Sequence, residues 1–434
     1  METMAQLMPI AIAMTAGLLM SRLVKKFKLP AVTGYLIAGV LIGPYCLGKL
    51  TALLNLEQYG LGFATAEAVE ANSVLSKVAL GFIAFAIGDE FRISQLKKIG
   101  KQATIIGIFQ ALVATLVVDL ALIVLCQFLP EDVINTPSAL VLGAVATATA
   151  PAATLMVVRQ YKAKGKLTDI LLPVVAIDDA VGLVVFAVSF GIAQSIQSGV
   201  ALSAISVVVE PLLEVILSLL LGLVLGVLFS LAEKYFKSNS KRLALSITFV
   251  IMAVALSMFE THIGDVHVKF SSLLVCMMLG TVFCNMCDFS DEIMGKTDRW
   301  TAPLFILFFV LSGAELKFDM FGNILVVLVG VVYILARSAG KILGASVSAK
   351  ATKCEPSIVK YLGITLLPQA GVALGMSLMA AEKLGEAGAM IRNITLFAVL
   401  IYELVGPMLT KIALTKSGDI IPRKVINLGE EDDE

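Results

Sequence analysis

Long apolar runs broken by short polar connections dominate the chain. Thirteen can be delimited, at roughly 5–24, 29–47, 73–91, 101–128, 137–158, 168–194, 203–232, 243–260, 270–287, 300–316, 323–348, 356–381 and 390–414. Most reach the ~20 residues that a helix needs to cross a hydrocarbon core. In lipid, only helices or closed barrels satisfy every backbone group, and the run lengths suit helices. The pattern therefore predicts an all-α polytopic membrane protein of 13 transmembrane helices. Residues 49–72 make a longer connection with scattered apolar positions, suited to a surface helix.

Composition agrees with this reading. Of the 434 residues, 58% are hydrophobic and 15% charged, whereas a soluble domain carries about 25% charged residues. The net charge is zero, so there is no basic face to recruit nucleic acid. The six cysteines sit in or beside apolar runs, and their spacing fits no secreted disulfide framework. Cys284 and Cys287 form a single C-x-x-C, which reads as apolar filler. Met1 to Gln6 holds Glu2 and no basic residue, so no cleavable signal is expected.

The basic residues orient the spans. One alternating set of connections holds Arg22, Lys25, Lys26 and Lys28, then Arg92, Lys97, Lys98 and Lys101, then Arg159, Lys162, Lys164 and Lys166. The bias continues along the chain to Lys411, Lys416, Arg423 and Lys424. The opposite set holds only Lys49, Lys77, Lys269, Lys317, Lys383 and Arg392. Because positive loops stay inside, the N-terminus is expected outside and the C-terminus in the cytoplasm.

Corresponding segments recur seven helices apart. Segments four, five and six begin near 101, 137 and 168; segments eleven, twelve and thirteen begin near 323, 356 and 390. An odd separation inverts the second copy, which predicts two inverted six-helix repeats joined by segment seven. Segment five carries Thr147, Thr149, Pro151 and Thr154; segment twelve carries Pro368, Gln369, Gly371 and Gly375. Paired interruptions at mid-depth point to a midplane ion site, where freed carbonyls and hydroxyls can coordinate a cation.

Charges lie beside these breaks. Asp178 and Asp179 sit inside segment six, where a carboxylate costs at least ~2.5–3.5 kcal/mol unless it faces a cavity or partner. Neighbouring helix positions point ~100° apart, so the two carboxylates serve different surroundings. Segment eleven carries Arg337 and Lys341, four residues apart on one face. Lys341 is close enough to the cytoplasmic end to snorkel. Arg337 lies deeper and calls for an acid; Glu403 in segment thirteen is the expected partner, with Asp119 as the other candidate. His262 and His267 fall in a short external connection and read as solvated loop residues. Glu210 and Glu214 lie at the outer end of segment seven, and the acidic run 429–434 reads as a solvated tail.

These residues resemble the bacterial monovalent cation:proton antiporters of the second cation:proton antiporter family, with the sodium/proton exchanger fold. The resemblance runs over the whole chain. It rests on KLPAVTGYLIAGVLIGP (28–44), TATAPAAT, the IDDA pair and the R-x-x-x-K of segment eleven. It implies a core of crossed broken helices, residues 101–194 and 323–414, moving in an elevator-like step. That core would move against a dimerisation domain, residues 1–91 and 243–316, with 203–232 as linker helix and 415–434 as short tail. It implies a homodimer. It makes Asp179 the carrier of cation and proton, and pairs Asp178 with Lys341. Potassium-efflux relatives continue into a nucleotide-binding domain after the last helix, so that regulation is expected to be absent. Another branch has an acid within the fifth-helix break, where this chain has Thr149-Ala150-Pro151.

The expectation is a transporter and not an enzyme: a cytoplasmic-membrane antiporter exchanging Na+ for H+ without a cofactor. Sodium would bind at Asp179, with Asp178, Thr147 and Thr149 nearby and Lys341, Arg337, Glu403 and Gln369 in support. Alternatives are a K+/H+ antiporter, a sodium-coupled organic anion symporter and a cation channel. Carboxylate, hydroxyl and carbonyl oxygens suit Na+, K+ and Li+ alike.

Overall fold

A computed structural model describes residues 2–27, 29–53, 62–89, 91–96, 100–150, 154, 157–158, 161–197, 210–263, 266–317 and 322–420. Among these residues the chain is helical apart from one small hairpin. The helices are α1 (Glu2–Lys26), α2 (Ala31–Ile42), α3 (Leu47–Leu53), α4 (Ala66–Glu70), α5 (Ser73–Asp89), α6 (Ile93–Leu96), α7 (Lys101–Cys126) and α8 (Thr136–Val145). They continue as α9 (Lys166–Gln197), α10 (Glu210–Glu233), α11 (Asn239–Ser257), α12 (Ser272–Met286) and α13 (Ser290–Ala314). The last four are α14 (Ile324–Ala351), α15 (Pro356–Thr365), α16 (Gly371–Lys383) and α17 (Gly385–Lys416).

Seven helical stretches among the described residues are long and apolar enough to cross a membrane: Leu7–Lys26, Ala31–Lys49, Lys101–Cys126, Leu213–Glu233, Asn239–Ser257, Ile324–Ala351 and Gly385–Lys416. Several remaining apolar segments make shorter helices. The fifth and twelfth are interrupted: α8 stops at Val145 and α15 at Thr365, well short of a bilayer's width. The connection near 262, expected as a loop, is not a plain one. Strands β1 (Thr261–Ile263) and β2 (Val266–Val268) pair antiparallel, with His262 opposite His267. Part of the 49–72 connection is helical, as α3 and α4.

Local sequence sets the ends that matter for the site. The Asn135 side chain accepts from the Ser138 amide at 3.0 Å and caps α8, with Pro137 in the first turn. Both features satisfy or remove orphan donors at a helix start. Asn323 caps α14 in the same way. Pro356 opens α15.

Burial is inverted relative to a water-soluble bundle. Along α7, Ile105, Ile108, Phe109, Leu112, Leu116, Leu120 and Val124 are exposed on one stripe. On α10, Ile216, Leu220, Leu223, Val224, Leu228 and Leu231 do the same. Meanwhile Gln110, Asp178, Arg337 and Lys341 are fully buried. Apolar outside and charged inside is the arrangement that a lipid solvent selects, since charges there must face the bundle interior.

The helix holding Arg337 and Lys341 lies along α7. A Cβ added at Gly340 would sit 2.8 Å from the Ala114 Cα, and one at Gly344 would sit 2.8 Å from the Gln110 Cα. Small residues thus let the two backbones meet, as is common where helices pack in lipid. Helix α9 packs on α7 and α8, and α17 packs on α15 and α16. Elsewhere α2 packs on α1 and α13, and α12 on α5 and α10. There Phe229 and Phe283 stack with centroids 4.2 Å apart.

Candidate functional site

The two helix breaks meet. After α8 ends, the chain tightens through i→i−3 bonds at Thr147 and Ala148 and then leaves the helix over 148–150; between α15 and α16 it does the same through Leu366 and Leu367, with 367–370 outside any helix. Each break satisfies the other. The Ala150 amide donates to the Pro368 carbonyl at 2.8 Å. The Thr149 hydroxyl reaches the Leu366 carbonyl at 3.2 Å and the Thr154 hydroxyl reaches the Thr365 carbonyl at 3.2 Å. The Gln369 amide nitrogen donates to the Val145 carbonyl at 2.9 Å and contacts the Tyr333 hydroxyl at 3.1 Å. Backbone groups released from a helix inside a membrane need such partners.

Arg337 completes this bracing. Its guanidinium donates to the Ala146 carbonyl at 3.0 Å, the Ala148 carbonyl at 2.6 Å and the Leu367 carbonyl at 2.7 Å. Its planar face lies 4.5 Å from the centroid of the Tyr402 ring. One side chain from α14 therefore holds both breaks, using the fork geometry that a lysine lacks. The expected Arg337–Glu403 pair is not formed. Carbonyls freed by the breaks occupy the guanidinium, and both Glu403 carboxyl oxygens are buried without a hydrogen-bond partner among the described residues. Glu403 sits on α17, where its backbone carbonyl accepts from Thr33 at 3.5 Å.

One turn beyond Arg337, Lys341 meets Asp178. Lys341 Nζ lies 2.7 Å from Asp178 Oδ2, and both side chains are 0% exposed. The ammonium also donates to the Thr149 hydroxyl at 3.0 Å and to the Thr147 carbonyl. A buried ion pair is tolerable when further hydrogen bonds satisfy both ions. Here Thr149 donates to the same Oδ2, while the Gln110 amide donates to Oδ1. Asp178 therefore draws partners from three places: α7, the α8 break and α14. Asp179 follows it in α9, but its side chain lies outside the described residues, as do Pro151 and the side chains of Glu210, His262 and His267. Glu214 pairs with Lys269 at 3.3 Å.

The arrangement joins Asp178, Thr149 and Lys341 directly, and sets Arg337, Gln369 and the Thr147 carbonyl around them. It leaves Glu403 apart. It also adds groups that the sequence did not single out. Gln110 is an amide at the middle of an apolar run that has Gln102 and Gln127 near its ends, and that position was its only signal. Tyr333 and Tyr402 read as ordinary aromatic positions. The oxygens here (carboxylate, hydroxyl and carbonyl) are hard donors suited to a bare cation or a proton. Among the described residues no group of three His, Cys, Asp or Glu side chains converges on a metal-like site.

Two cavities lie toward the ends of the bundle. One of ≈ 400 Å³ is lined by Gln102, Lys166, Asp169, Pro173 and Glu355, at the start of α9. One of ≈ 250 Å³ is lined by Lys77, Leu80, Glu260, Leu378, Glu382 and Lys383, between α5, α11 and α16.

Known proteins resemble this chain over most of its length. The family described as sodium/hydrogen exchanger, transmembrane, matches residues 10–416. A Na(+)/H(+) antiporter, NhaS4, of Synechocystis is 25% identical over 416 residues, covering 93% of this chain and 95% of the relative. Among solved structures, the sodium proton antiporter MjNhaP1 from Methanocaldococcus jannaschii at pH 8 superposes with a TM-score of 0.72 at 19% identity. It covers 95% of this chain and 100% of that one. An electron-microscopy structure of the same antiporter gives 0.64 at 18% identity.

Proposed function

The chain belongs to the transmembrane sodium/hydrogen exchanger family, and from that premise we propose that it exchanges Na+ for H+ by competition at one carboxylate site. It is a cation:proton antiporter of the membrane, a transporter and not an enzyme. The finer reading has Asp179 carrying sodium and proton in turn, with Asp178 and Lys341 as its charged neighbours. Thr147 and Thr149 add oxygen ligands. The observation that carries it is the fully buried Asp178–Lys341 pair, 2.7 Å long, set inside two crossed breaks. A sequence this apolar holds an ion pair at such depth only where charge has a task.

Competition gives coupling in its simplest form. Desolvation favours the neutral acid and a nearby cation favours the carboxylate. A site with room for one ligand then releases its proton when sodium enters, and its sodium when a proton returns. Neither sodium nor proton needs a cofactor. Alternating exposure follows if residues 101–194 and 323–414 move together against 1–91 and 243–316. In this reading thirteen spans form two inverted repeats, two chains associate as a homodimer in the cytoplasmic membrane, and the N-terminus is external. The superposition on the archaeal antiporter supports this shape.

The test is exchange in vesicles with an imposed pH gradient, comparing sodium, potassium and lithium. Asp179→Asn keeps shape but cannot ionise, and is expected to abolish sodium-driven proton movement and sodium binding in a folded protein. Asp178→Asn should retain some sodium binding and alter coupling or pH dependence. Near-normal exchange by Asp179→Asn moves the site elsewhere.

A further inference from the structure

By its place in the chain Arg392 counts with the connections, but the structure buries it. It stands about two turns into α17 and is 4% exposed. An ionisable residue inside a span is a functional candidate by default. Its bonds divide between two parts of the molecule. Nη1 donates to the Leu374 carbonyl at 2.6 Å and to the Ser377 hydroxyl at 2.9 Å, both on α16. Nε donates to Glu315 Oε2 at 2.8 Å and Nη2 to the Ser312 hydroxyl at 2.9 Å, both at the C-terminal end of α13. The next residue crosses the same boundary. The Lys317 amide donates to Asn393 Oδ1 at 2.8 Å, and Asn393 Nδ2 donates to the Lys317 carbonyl at 3.2 Å.

The division has a mechanical sense. Helices α16 and α17 lie within residues 323–414, and α13 within 243–316. The bonds to α16 fix the guanidinium in its own part, so the arm is preformed. The bonds to α13 can be exchanged for bonds to water at modest net cost. Polar ties across this boundary cluster at one end of the bundle. Lys77 meets Glu382 at 3.3 Å, Lys383 meets Glu260, and Lys269 meets Gln194. At the opposite end, ties among the described residues run within one part: Lys166 with Glu355, Gln102 with the Thr352 carbonyl, and Arg92 with Asp89 and Asp291. Away from the Lys383 end, Thr33 reaches the Glu403 carbonyl across the boundary, at 3.5 Å, which is long for a hydrogen bond.

We propose that Arg392 and Asn393 form the latch that closes the Lys383 end of the bundle, an arm of residues 323–414 that grips the end of α13 in this state and releases it when that end opens. The proposal rests on the reading in which the two parts move against each other. The exposed ion pairs beside the latch are screened. Arg392 and Asn393 are buried, so they hold the greater share of the closure. Their effect is on access to the site and not on the ligands of the ion.

Arg392→Gln removes the charge and the fork. Apparent affinity at a face scales with the fraction of protein open to that face. In right-side-out and everted vesicles of the full chain, half-saturating sodium at the Lys383 face should fall by about tenfold, the equivalent of one lost bond to a charged group. It should not fall at the other face. Labelling of Lys383→Cys with an impermeant reagent identifies the face. A role in packing alone would change both faces alike, and that result overturns the proposal. A second measurement needs no Arg392 variant. A short bis-maleimide joining Glu260→Cys to Lys383→Cys holds the two parts together. The link should slow deuterium exchange at the Lys317 amide by about tenfold, because local opening at Asn393 is what frees that amide. Equal deuterium exchange in linked and unlinked protein overturns the latch. The same link should stop sodium–proton exchange. If linked protein transports at the full rate, the parts do not move against each other at this end, and the reading beneath the proposal is overturned instead.

Discussion

The amide of Ala150 donates to the carbonyl of Pro368 across 2.8 Å, so the two helix breaks are tied directly to each other. Each break loses helical hydrogen bonds, and in lipid there is no water to replace them. The loss is made good by the other break, by Thr149 and Thr154, and by Arg337. The oxygens around Asp178 are consequently fixed by contacts between distant parts of the chain. A movement of Asp178 that left either break behind would have to break these hydrogen bonds.

Arg337→Lys tests the brace. The charge stays, but a single ammonium cannot span the carbonyls of Ala146, Ala148 and Leu367. Each hydrogen bond to a charged donor contributes about 1.5–3 kcal/mol, and at least one should be lost. The unfolding midpoint in detergent should fall, and exchange should fall with it. A variant as stable and as active as the parent would remove the brace from the account.

The ion pair between Asp178 and Lys341 can be measured as a pair. Lys341→Met leaves a buried carboxylate with no cation, which costs about 3–5 kcal/mol. Adding Asp178→Asn removes the orphan charge and should recover much of that loss. A double-mutant cycle on unfolding in detergent isolates the coupling. Additive single effects would mean that the two groups do not interact. If Lys341 also gives up its proton when Asp178 gains one, each cycle carries two protons per sodium and current flows. A measured one-to-one ratio, insensitive to membrane potential, would reduce the pair to structure.

Some of this was legible in the residues and some was not. Pro151, Pro368 and the threonines marked the breaks because proline and hydroxyls have few uses at mid-membrane. Asp178 and Asp179 stood out because a charge there is expensive. Lys341 could be read as snorkelling or as the partner of Asp178, and the 2.7 Å contact is the latter. Arg337 was misread for a physical reason. A sequence displays acids but not freed carbonyls, so it suggested Glu403 where backbone oxygens do the holding. Gln110 gave only a weak signal because a neutral amide carries no comparable cost. The hairpin at 261–268 was too short to show a pattern.

Asp419 offers a prediction at the other end of α9. Its carboxylate accepts from the Thr168 amide at 2.7 Å and from the Thr168 hydroxyl at 2.8 Å. It thus caps the aspartate-bearing helix from the turn after α17. Asp419→Ala should destabilise by about 1 kcal/mol, the usual worth of a cap, and Asp419→Asn by less. Gly165 has φ +158°, and a Cβ there would stand 2.6 Å from the Asp419 Cγ. Gly165→Ala should therefore reproduce the loss by displacing the cap. Chemical denaturation in detergent reads all three variants. No change in Gly165→Ala would mean that the turn relaxes freely.

The C-terminal end of α16 is held by two ion pairs made by adjacent residues. Glu382 lies 3.3 Å from Lys77 of α5, and Lys383 pairs with Glu260 beyond the end of α11. They border the ≈ 250 Å³ cavity in which Leu80 and Leu378 take part, and Leu80 packs where Gly375 leaves room. If α16 belongs to the moving core, these pairs must break before this side opens. Exposed pairs are worth only ~0.2–1 kcal/mol each, so they can bias the equilibrium without locking it. Lys383→Glu sets like charges together and should favour the opened state, changing apparent sodium affinity by up to about tenfold. The exchanged pair Glu260→Lys with Lys383→Glu should restore the parent value. Raised salt should shrink the difference, because exposed charges are screened. Sodium titration of exchange at two ionic strengths decides it. A double variant no closer to the parent than the single one would show that the pairs are ornaments of the surface and not a latch.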